Sequence, residues 1–269
     1  MARSTAARAV ISLEPLRYRL VRFVARIASI PLLLTACRAE RSAPARSSVA
    51  PSTDERCVVL FLGTSLTAGY GLPLEQAYPA LLQRRIDAAG LPYRVQNAGV
   101  SGETSAGARR RLPWLLRQRI DVLVLETGAN DMLRGLDPDS LRANLEAIVV
   151  AVRAHRPTTP IVLLGLPALP NLGPTYARGF ATAYRAAAER HGLPFHPFFL
   201  RGVAGVDSLN LPDGLHPNAA GHRRVAANVW PVLEPVLRRY AAQARCRASQ
   251  ATKPSTSASG GRQPSAVSP

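Results

Sequence analysis

A serine, an aspartate and a histidine in this chain have the types and spacing that acyl transfer requires. Ser65 lies three residues after the end of the apolar run 57–62, in the stretch FLGTSLTAGYG. A serine hydroxyl is a weak nucleophile at neutral pH and needs a base within hydrogen-bond reach. His216 could accept its proton, and Asp213, three residues earlier, could orient the imidazole and stabilise its cation. Taken alone, Ser65 is explained at least as well as a helix start, because serine is a favoured N-cap residue.

The tetrahedral intermediate of acyl transfer also needs hydrogen-bond donors directed at its oxyanion. Three candidates are the backbone N–H groups of Ser65 and Gly102 and the side-chain amide of Asn130. A glycine lets the backbone approach a ligand closely, which suits Gly102 to this role. We interpret Asp131, which follows Asn130, as a structural residue that holds its loop in shape.

The elements that must position these groups alternate regularly along the chain. The apolar runs show no period-two alternation, as expected of parallel strands that are buried on both faces. Strand and helix patterns repeat five times, which predicts a parallel sheet with helices on both sides. Ligands of such sheets bind outside the carboxyl ends of the strands. Four polar, glycine-rich turns would meet at this edge, at 63–65, 97–104, 127–131 and 213–217. We predict strands at 57–62, 93–97, 121–126, 160–164 and 195–197, and helices at 78–89, 104–116, 140–155, 176–191 and 218–240, with a break at Pro113 and kinks at Pro231 and Pro235.

The four turns resemble the sequence blocks of the SGNH hydrolases, also called GDSL-type esterases and lipases. Ser65 lies in the first block, Gly102 in the second, and Asn130 in the third, which reads Gly-Ala-Asn-Asp. Asp213 and His216 form the last block, Asp-x-x-His. The stretches GANDMLRGLDPDSLRANL and LPDGLHPNAAGH are similar to the bacterial periplasmic arylesterase, thioesterase and lysophospholipase group.

This resemblance covers about 58–236 and implies a fold and an activity. The implied fold is a flavodoxin-like, three-layer α/β/α sandwich with a five-stranded parallel sheet. The implied activity is hydrolysis of carboxylic esters by a serine esterase through a Ser-His-Asp triad and an acyl-enzyme, with thioesters and lysophospholipids as further candidates. No cofactor and no metal site are expected.

Thr64 departs from the family pattern, because the name-giving motif has Asp at that position. The Asp is not a member of the implied triad, so a loss of activity does not follow. Two alternatives stay open beside the esterase: a carbohydrate O-acetyl esterase, and a membrane-tethered binding protein with impaired catalysis.

The segment 166–176 is rich in Pro and Leu and follows the fourth predicted strand. Its first residues, Leu166 and Pro167, could line an apolar groove for an acyl or aryl group together with Met132 and Leu133. The alternative is a loop packed on the edge of the domain.

The positive charge does not by itself indicate a nucleic-acid partner. The whole chain of 269 residues has a formal net charge of +17. The predicted domain, 57–240, has 20 basic and 13 acidic residues and thus a net charge of +7. More than half of the excess therefore lies in the terminal segments, and we expect a small-molecule ester or lipid substrate and no nucleic acid.

The N-terminal segment 1–37 reads as an export signal. Basic residues precede the short apolar stretch 27–36, which is too short to span a bilayer as a helix. The following Leu-Thr-Ala-Cys, ending at Cys37, resembles the lipobox of bacterial lipoproteins. That resemblance implies lipidation of Cys37 and a protein anchored in the bacterial cell envelope, facing the periplasm or the cell exterior. A cleaved secretory signal or an uncleaved anchor are the alternatives.

Two further segments have polar, low-complexity compositions. We predict a flexible tether at 38–56, an SGNH hydrolase domain at 57–240 and a disordered tail at 241–269. Cys57 and Cys246 could form one disulfide in an exported protein, or remain two thiols.

Overall fold

The computed structural model describes residues 56–243. The predicted lipoprotein signal 1–37 with Cys37, the tether before Arg56, and the tail beyond Gln243 lie outside the described residues. The strands are β1 (Cys57–Gly63), β2 (Tyr93–Gly99), β3 (Val122–Glu126), β4 (Ile161–Leu164) and β5 (Phe195–His196). The helices are α1 (Ser65–Ala68), α2 (Tyr78–Ala88), α3 (Ser105–Leu115), α4 (Ala129–Leu133), α5 (Pro138–His155), α6 (Pro174–His191) and α7 (Ala219–Gln243).

All five strands form one parallel sheet in the order β2-β1-β3-β4-β5. The strand ends are in register, since Leu62 lies between Ala98 and Leu125, and Leu125 pairs in turn with Leu163. The loops after β2, β1 and β3 therefore leave the sheet side by side. The predicted five-stranded parallel sheet is confirmed.

The core explains why the apolar runs do not alternate. Every residue of β1, β3 and β4 is buried, because helices cover these strands on both faces. The edge strands β2 and β5 are only partly buried. Helix α2 packs against α7, and α5 packs against α3 and α6, which gives the predicted three-layer sandwich.

Most element bounds differ from the sequence prediction by one or two residues, and three differences are larger. Two short helices, α1 and α4, directly follow β1 and β3, where only turns are predicted. Helix α3 continues through Pro113, because a proline removes only one backbone hydrogen bond and this one lies near the last turn. Helix α7 extends to Gln243, three residues beyond the predicted end of the domain.

Two observations bear on the ends of the described region. Cys57 is disulfide-bonded. The other two cysteines of the chain, Cys37 and Cys246, both lie outside the described residues, so a Cys57–Cys246 bridge stays a prediction. Between Arg56 and Gln243, no helix is both long enough and apolar enough to cross a membrane.

Candidate active site

Ser65, His216 and Asp213 are joined by consecutive side-chain contacts at the carboxyl edge of the sheet. The Nε2 atom of His216 lies 2.9 Å from the Oγ atom of Ser65. The Nδ1 atom of the same ring lies 2.7 Å from Oδ2 of Asp213. Ser65 and His216 are 151 residues apart in the chain, so the fold brings them together. The geometry suits proton transfer from the hydroxyl to an imidazole that a carboxylate orients.

The turn that contains Asp213 holds its carboxylate in place from the backbone side. Its Oδ1 atom accepts hydrogen bonds from the N–H groups of Leu215, at 2.9 Å, and His216, at 3.0 Å. The N–H of His216, followed by its imidazole and the N–H of Leu215, lowers the pKa of Asp213 to about 2. Asp213 is therefore ionised at neutral pH and can stabilise positive charge on the imidazole that it contacts.

Ser65 is also a helix start, so the two interpretations of this residue are compatible. It is the first residue of α1, and the Thr64 side chain caps the helix by accepting a hydrogen bond from the N–H of Leu66. Gly63 is required at the end of β1, because a Cβ atom there would overlap the hydroxyl of Thr67. The carbonyl of Ser65 accepts bonds from the N–H groups of Gly69 and Tyr70, which close the turn.

The three candidate oxyanion donors lie on the loops that follow β1, β2 and β3. Gly102 has a φ of +75°, a conformation that favours glycine, and within residues 56–243 its N–H makes no hydrogen bond. The amide of Asn130 donates one of its two hydrogens to the carbonyl of Glu103, at 2.9 Å. The second hydrogen is available to another acceptor. The N–H of Ser65, at the start of α1, has no intrahelical acceptor.

Asp131 lies next to Asn130 but faces a different partner. Its carboxylate accepts hydrogen bonds from the N–H and the hydroxyl of Ser105, the first residue of α3. Asp131 is almost fully buried and ties α4 to α3. This supports the structural interpretation of Asp131.

Sequence reasoning missed a buried carboxylate beneath the nucleophile turn. Glu126 ends β3 with its side chain fully buried. Its Oε2 atom accepts hydrogen bonds from the N–H of Thr64 and the hydroxyl of Thr67, both at 2.8 Å, and the Thr67 hydroxyl also contacts the hydroxyl of Tyr78. Burial raises the pKa of Glu126, and the bonds from the two threonines partly offset that rise. The available signal was a charged residue at the end of an otherwise apolar strand pattern, DVLVLE.

Tyr70 is a second residue that the sequence did not single out. Its ring packs on the imidazole of His216, with the ring centroids 4.4 Å apart and the planes tilted by 36°. The Tyr70 side chain is 51% exposed, so this ring contact lies at the surface of the molecule. No pattern in the sequence indicates this contact.

The four predicted groove residues do not share one environment. Met132 and Leu166 are buried, and the sulfur of Met132 accepts a hydrogen bond from the N–H of Leu169, at 3.2 Å. Leu133 is 49% exposed, and Pro167 is exposed. Of the four, Leu133 and Pro167 therefore present the most surface to solvent, and a role of all four in substrate binding stays a prediction.

The described part of the chain contains no cluster of side chains that could bind a metal ion. Between Arg56 and Gln243, no three His, Cys, Asp or Glu side chains are grouped so that they could hold a metal ion.

Comparison with known proteins agrees with the geometry. The GDSL-like lipase/acylhydrolase family matches residues 61–224 of this chain. Esterase TesA from Pseudomonas aeruginosa is 43% identical over 180 residues, which cover 66% of this chain and 89% of that protein. Thioesterase 1/protease 1/lysophospholipase L1 from Escherichia coli K12 is 34% identical over 180 residues, covering 66% of this chain and 84% of that protein.

A solved structure gives the same result for the fold. AlinE4, described as an SGNH-hydrolase family esterase, has a TM-score of 0.56 and 36% identity over 68% of this chain and 97% of its own. The flavodoxin-like α/β/α fold predicted from the sequence blocks is thereby confirmed. The chain belongs to the GDSL-like lipase/acylhydrolase family and is an enzyme that hydrolyses ester bonds.

Proposed function

We propose that Ser65 is the nucleophile, His216 the general base and acid, and Asp213 the residue that orients and stabilises the imidazolium. The observation that carries this proposal is the continuous contact from Ser65 Oγ through His216 to Asp213, with distances of 2.9 and 2.7 Å. Each group has the partner that its role requires.

The reaction proceeds in two halves through an acyl-enzyme. Ser65 attacks the ester carbonyl while His216 takes its proton, and the tetrahedral intermediate then expels the alcohol, to which His216 returns that proton. Water next attacks the acyl-enzyme with His216 as base, which releases the acid and restores Ser65. The oxyanion of both intermediates accepts hydrogen bonds from the N–H groups of Ser65 and Gly102 and from the amide of Asn130.

The acyl group of the substrate contacts apolar side chains at the mouth of the site. Leu133 and Pro167 are exposed beside α4 and β4, which supports their role. Met132 and Leu166 act from behind them as buried packing residues. The names of the relatives include arylesterase, thioesterase and lysophospholipase, so these substrate types are the ones to compare.

We further propose the cell-envelope assignment that the N-terminal sequence indicates. Residues 1–37 form a lipoprotein signal that ends at the lipidated Cys37, and 38–56 form the tether. The catalytic domain begins at Cys57 and includes helix α7 to its end at Gln243, and the residues after it form a tail. A Cys37→Ala variant expressed with an alkyne-labelled fatty acid tests the anchor. Label on the native chain and none on the variant is the expected result, and equal labelling of both contradicts it.

The test of catalysis uses the full-length chain and p-nitrophenyl esters from acetate to palmitate. The Ser65→Ala variant is expected to lose nearly all turnover and all labelling by a fluorophosphonate probe, while its circular dichroism spectrum stays unchanged. Full activity in that variant contradicts the assignment. Turnover of native enzyme that is confined to acetate favours the O-acetyl esterase alternative, and neither turnover nor labelling favours the impaired binding protein.

A further inference from the structure

A surface cleft lies beside the candidate oxyanion donor Gly102. It has a volume of about 390 Å³ and is formed by the loop after β2, the exposed side of α3 and the end of α4. Gly102, whose N–H is a candidate oxyanion donor, is one of its lining residues. The cleft and the proposed catalytic centre therefore share a wall.

The cleft has an excess of positive charge. Its charged lining residues are Arg110, Arg111, Arg134 and a single acid, Glu103. Glu103 is already engaged, because its two carboxylate oxygens lie 2.6 and 2.8 Å from the guanidinium of Arg111. The same guanidinium donates to the carbonyl of Ala98, at 2.6 Å. Arg111 and Glu103 thus neutralise each other, and two positive charges remain.

The guanidinium groups that carry these two charges, on Arg110 and Arg134, both keep N–H donors that are available to a ligand. Arg110 is exposed and makes no hydrogen bond or ion pair within residues 56–243. Arg134 is exposed and donates to the carbonyl of Gly102, at 2.9 Å. A guanidinium carries five N–H donors, so most of those on Arg134 stay available.

The cleft lies close to where the scissile carbonyl would bind. The N–H and the carbonyl of Gly102 belong to one residue, so the bonded Nη2 atom of Arg134 lies within about 7 Å of the Gly102 nitrogen. An anion in the cleft would therefore be only a few atoms away from the ester. Three exposed apolar side chains near the site suit a hydrocarbon acyl group: Tyr70, Leu133 and Leu215. An anionic group that binds in the cleft would then belong to the alcohol half of the ester.

We propose that Arg110 and Arg134 form a subsite for a phosphate on the alcohol half of the substrate, so that the enzyme prefers acyl esters of a phosphorylated alcohol such as glycerol phosphate. Guanidinium groups match phosphate geometry with paired N–H donors and carry a permanent charge. The subsite rests on the proposed ester hydrolysis at Ser65 and specifies which esters that site prefers.

The test compares 1-octanoyl-glycerol 3-phosphate with 1-octanoylglycerol on the full-length enzyme, below the concentration at which either forms micelles. The two substrates differ only in the phosphate. The expected ratio of their kcat/KM values is about tenfold in favour of the phosphate ester at low salt, from charge-assisted bonds to two arginines. The ratio is expected to fall at about 1 M salt, where the Debye length is only about 3 Å.

The variants are Arg110→Gln and, as a matched control, Arg109→Gln. Arg109 is exposed on the same helix and does not line the cleft. In the part of the chain that the structure describes, its one polar contact is a long one of 3.4 Å to Asn144. Arg110→Gln is expected to lower the ratio about fivefold, while Arg109→Gln keeps it. A third substrate pair, S-octanoyl 4′-phosphopantetheine and S-octanoyl pantetheine, carries a phosphate far from the acyl bond and is expected to show a ratio near one.

Three results of these experiments would contradict the proposed phosphate subsite. A native ratio near one with both glycerol esters hydrolysed overturns it while the esterase function stands. Equal effects of the two variants show that general charge, and not the cleft, produces the preference. A preference confined to the pantetheine pair contradicts a phosphate bound near the ester. Absence of turnover on every ester, p-nitrophenyl butyrate included, instead marks failure of the proposed function itself.

Discussion

Thr64 and Glu126 form a buried donor–acceptor pair directly beneath the nucleophile turn. The Thr64 hydroxyl lies 3.1 Å from Oε1 and 3.0 Å from Oε2 of Glu126, and the Thr64 N–H donates to Oε2 at 2.8 Å. An aspartate at position 64, as in the name-giving family motif, would add a second acid beside this buried carboxylate. A threonine supplies a donor instead, which explains structurally how the chain accommodates this departure.

Replacing Thr64 with valine is expected to lower the free energy of unfolding by about 2 kcal/mol. The variant keeps the shape of the side chain but removes one hydrogen bond to a buried acid and the N-cap of α1. Urea denaturation at pH 7 measures the change. Thr64→Ser keeps the hydroxyl and is the control, so equal losses in both variants would show that the hydroxyl does not matter.

Removing the ring of Tyr70 is expected to lower kcat. The ring packs 4.4 Å from the imidazole of His216, which becomes cationic as Ser65 is deprotonated, and an aromatic face stabilises a nearby cation by about 0.5–1 kcal/mol at exposed sites. We therefore expect Tyr70→Ala to reduce kcat roughly two- to fivefold.

Tyr70→Phe is the control for that experiment, since it keeps the ring and removes only the hydroxyl. It is expected to retain most of the activity in the same steady-state assay. A loss of kcat in Tyr70→Phe as large as that in Tyr70→Ala would assign the effect to the hydroxyl rather than to the ring.

Replacing Asn130 with alanine is expected to reduce kcat by about 10²–10³ with little change in KM, because an oxyanion donor acts mainly in the transition state. Steady-state kinetics with p-nitrophenyl butyrate measure both constants. The side chain also ties its loop to Glu103, so a control for that lost bond is needed.

Asn228 provides this control, because within residues 56–243 its amide donates to the backbone carbonyls of Phe199 and Arg201 alone, at 2.9 and 2.8 Å. Asn228→Ala is expected to keep kcat within about twofold. Similar losses of kcat in both variants would mean that Asn130 acts through structure alone.

His222 is expected to make the fold less stable in mild acid. It is 1% exposed, and its Nδ1 atom accepts a hydrogen bond from the N–H of Tyr78, at 3.1 Å. Burial, followed by the nearby His216, lowers the pKa of His222 from 6.5 to about 4. The unfolded chain therefore binds a proton between pH 6.5 and 4 that the folded chain excludes, which lowers the free energy of unfolding by about 3 kcal/mol across that window.

Urea denaturation at pH 7, 5.5 and 4.5 measures this slope, and His222→Gln is the reference variant, since glutamine keeps an acceptor and does not titrate. The variant is less stable overall, because His222 also stacks on the ring of Tyr78. The free energy of unfolding of His222→Gln is expected to change less with pH than that of the native protein. Parallel slopes in the two proteins would contradict a buried, neutral His222.

The features that the sequence alone determines are those set by local pattern. Unbroken apolar runs between helical repeats predict buried parallel strands, and parallel strands put their carboxyl ends at one edge. The Asp213–His216 pair is local too, because three residues in one turn bring the two side chains within reach. These rules predict the sheet and the four turns at its edge, whereas the choice of Ser65 as nucleophile also depended on the resemblance of the turns to the SGNH hydrolase blocks.

Only the tertiary structure decided which side chains from distant segments meet. The contacts of Ser65 with His216, Thr64 with Glu126, and Arg134 with Gly102 span 151, 62 and 32 residues. The burial of Met132 and Leu166, two of the four predicted groove residues, also depends on which loops pack over them. The physical reason is that side-chain periodicity tells which face of an element is buried, whereas the partner on that face is selected by how the elements pack around the whole core.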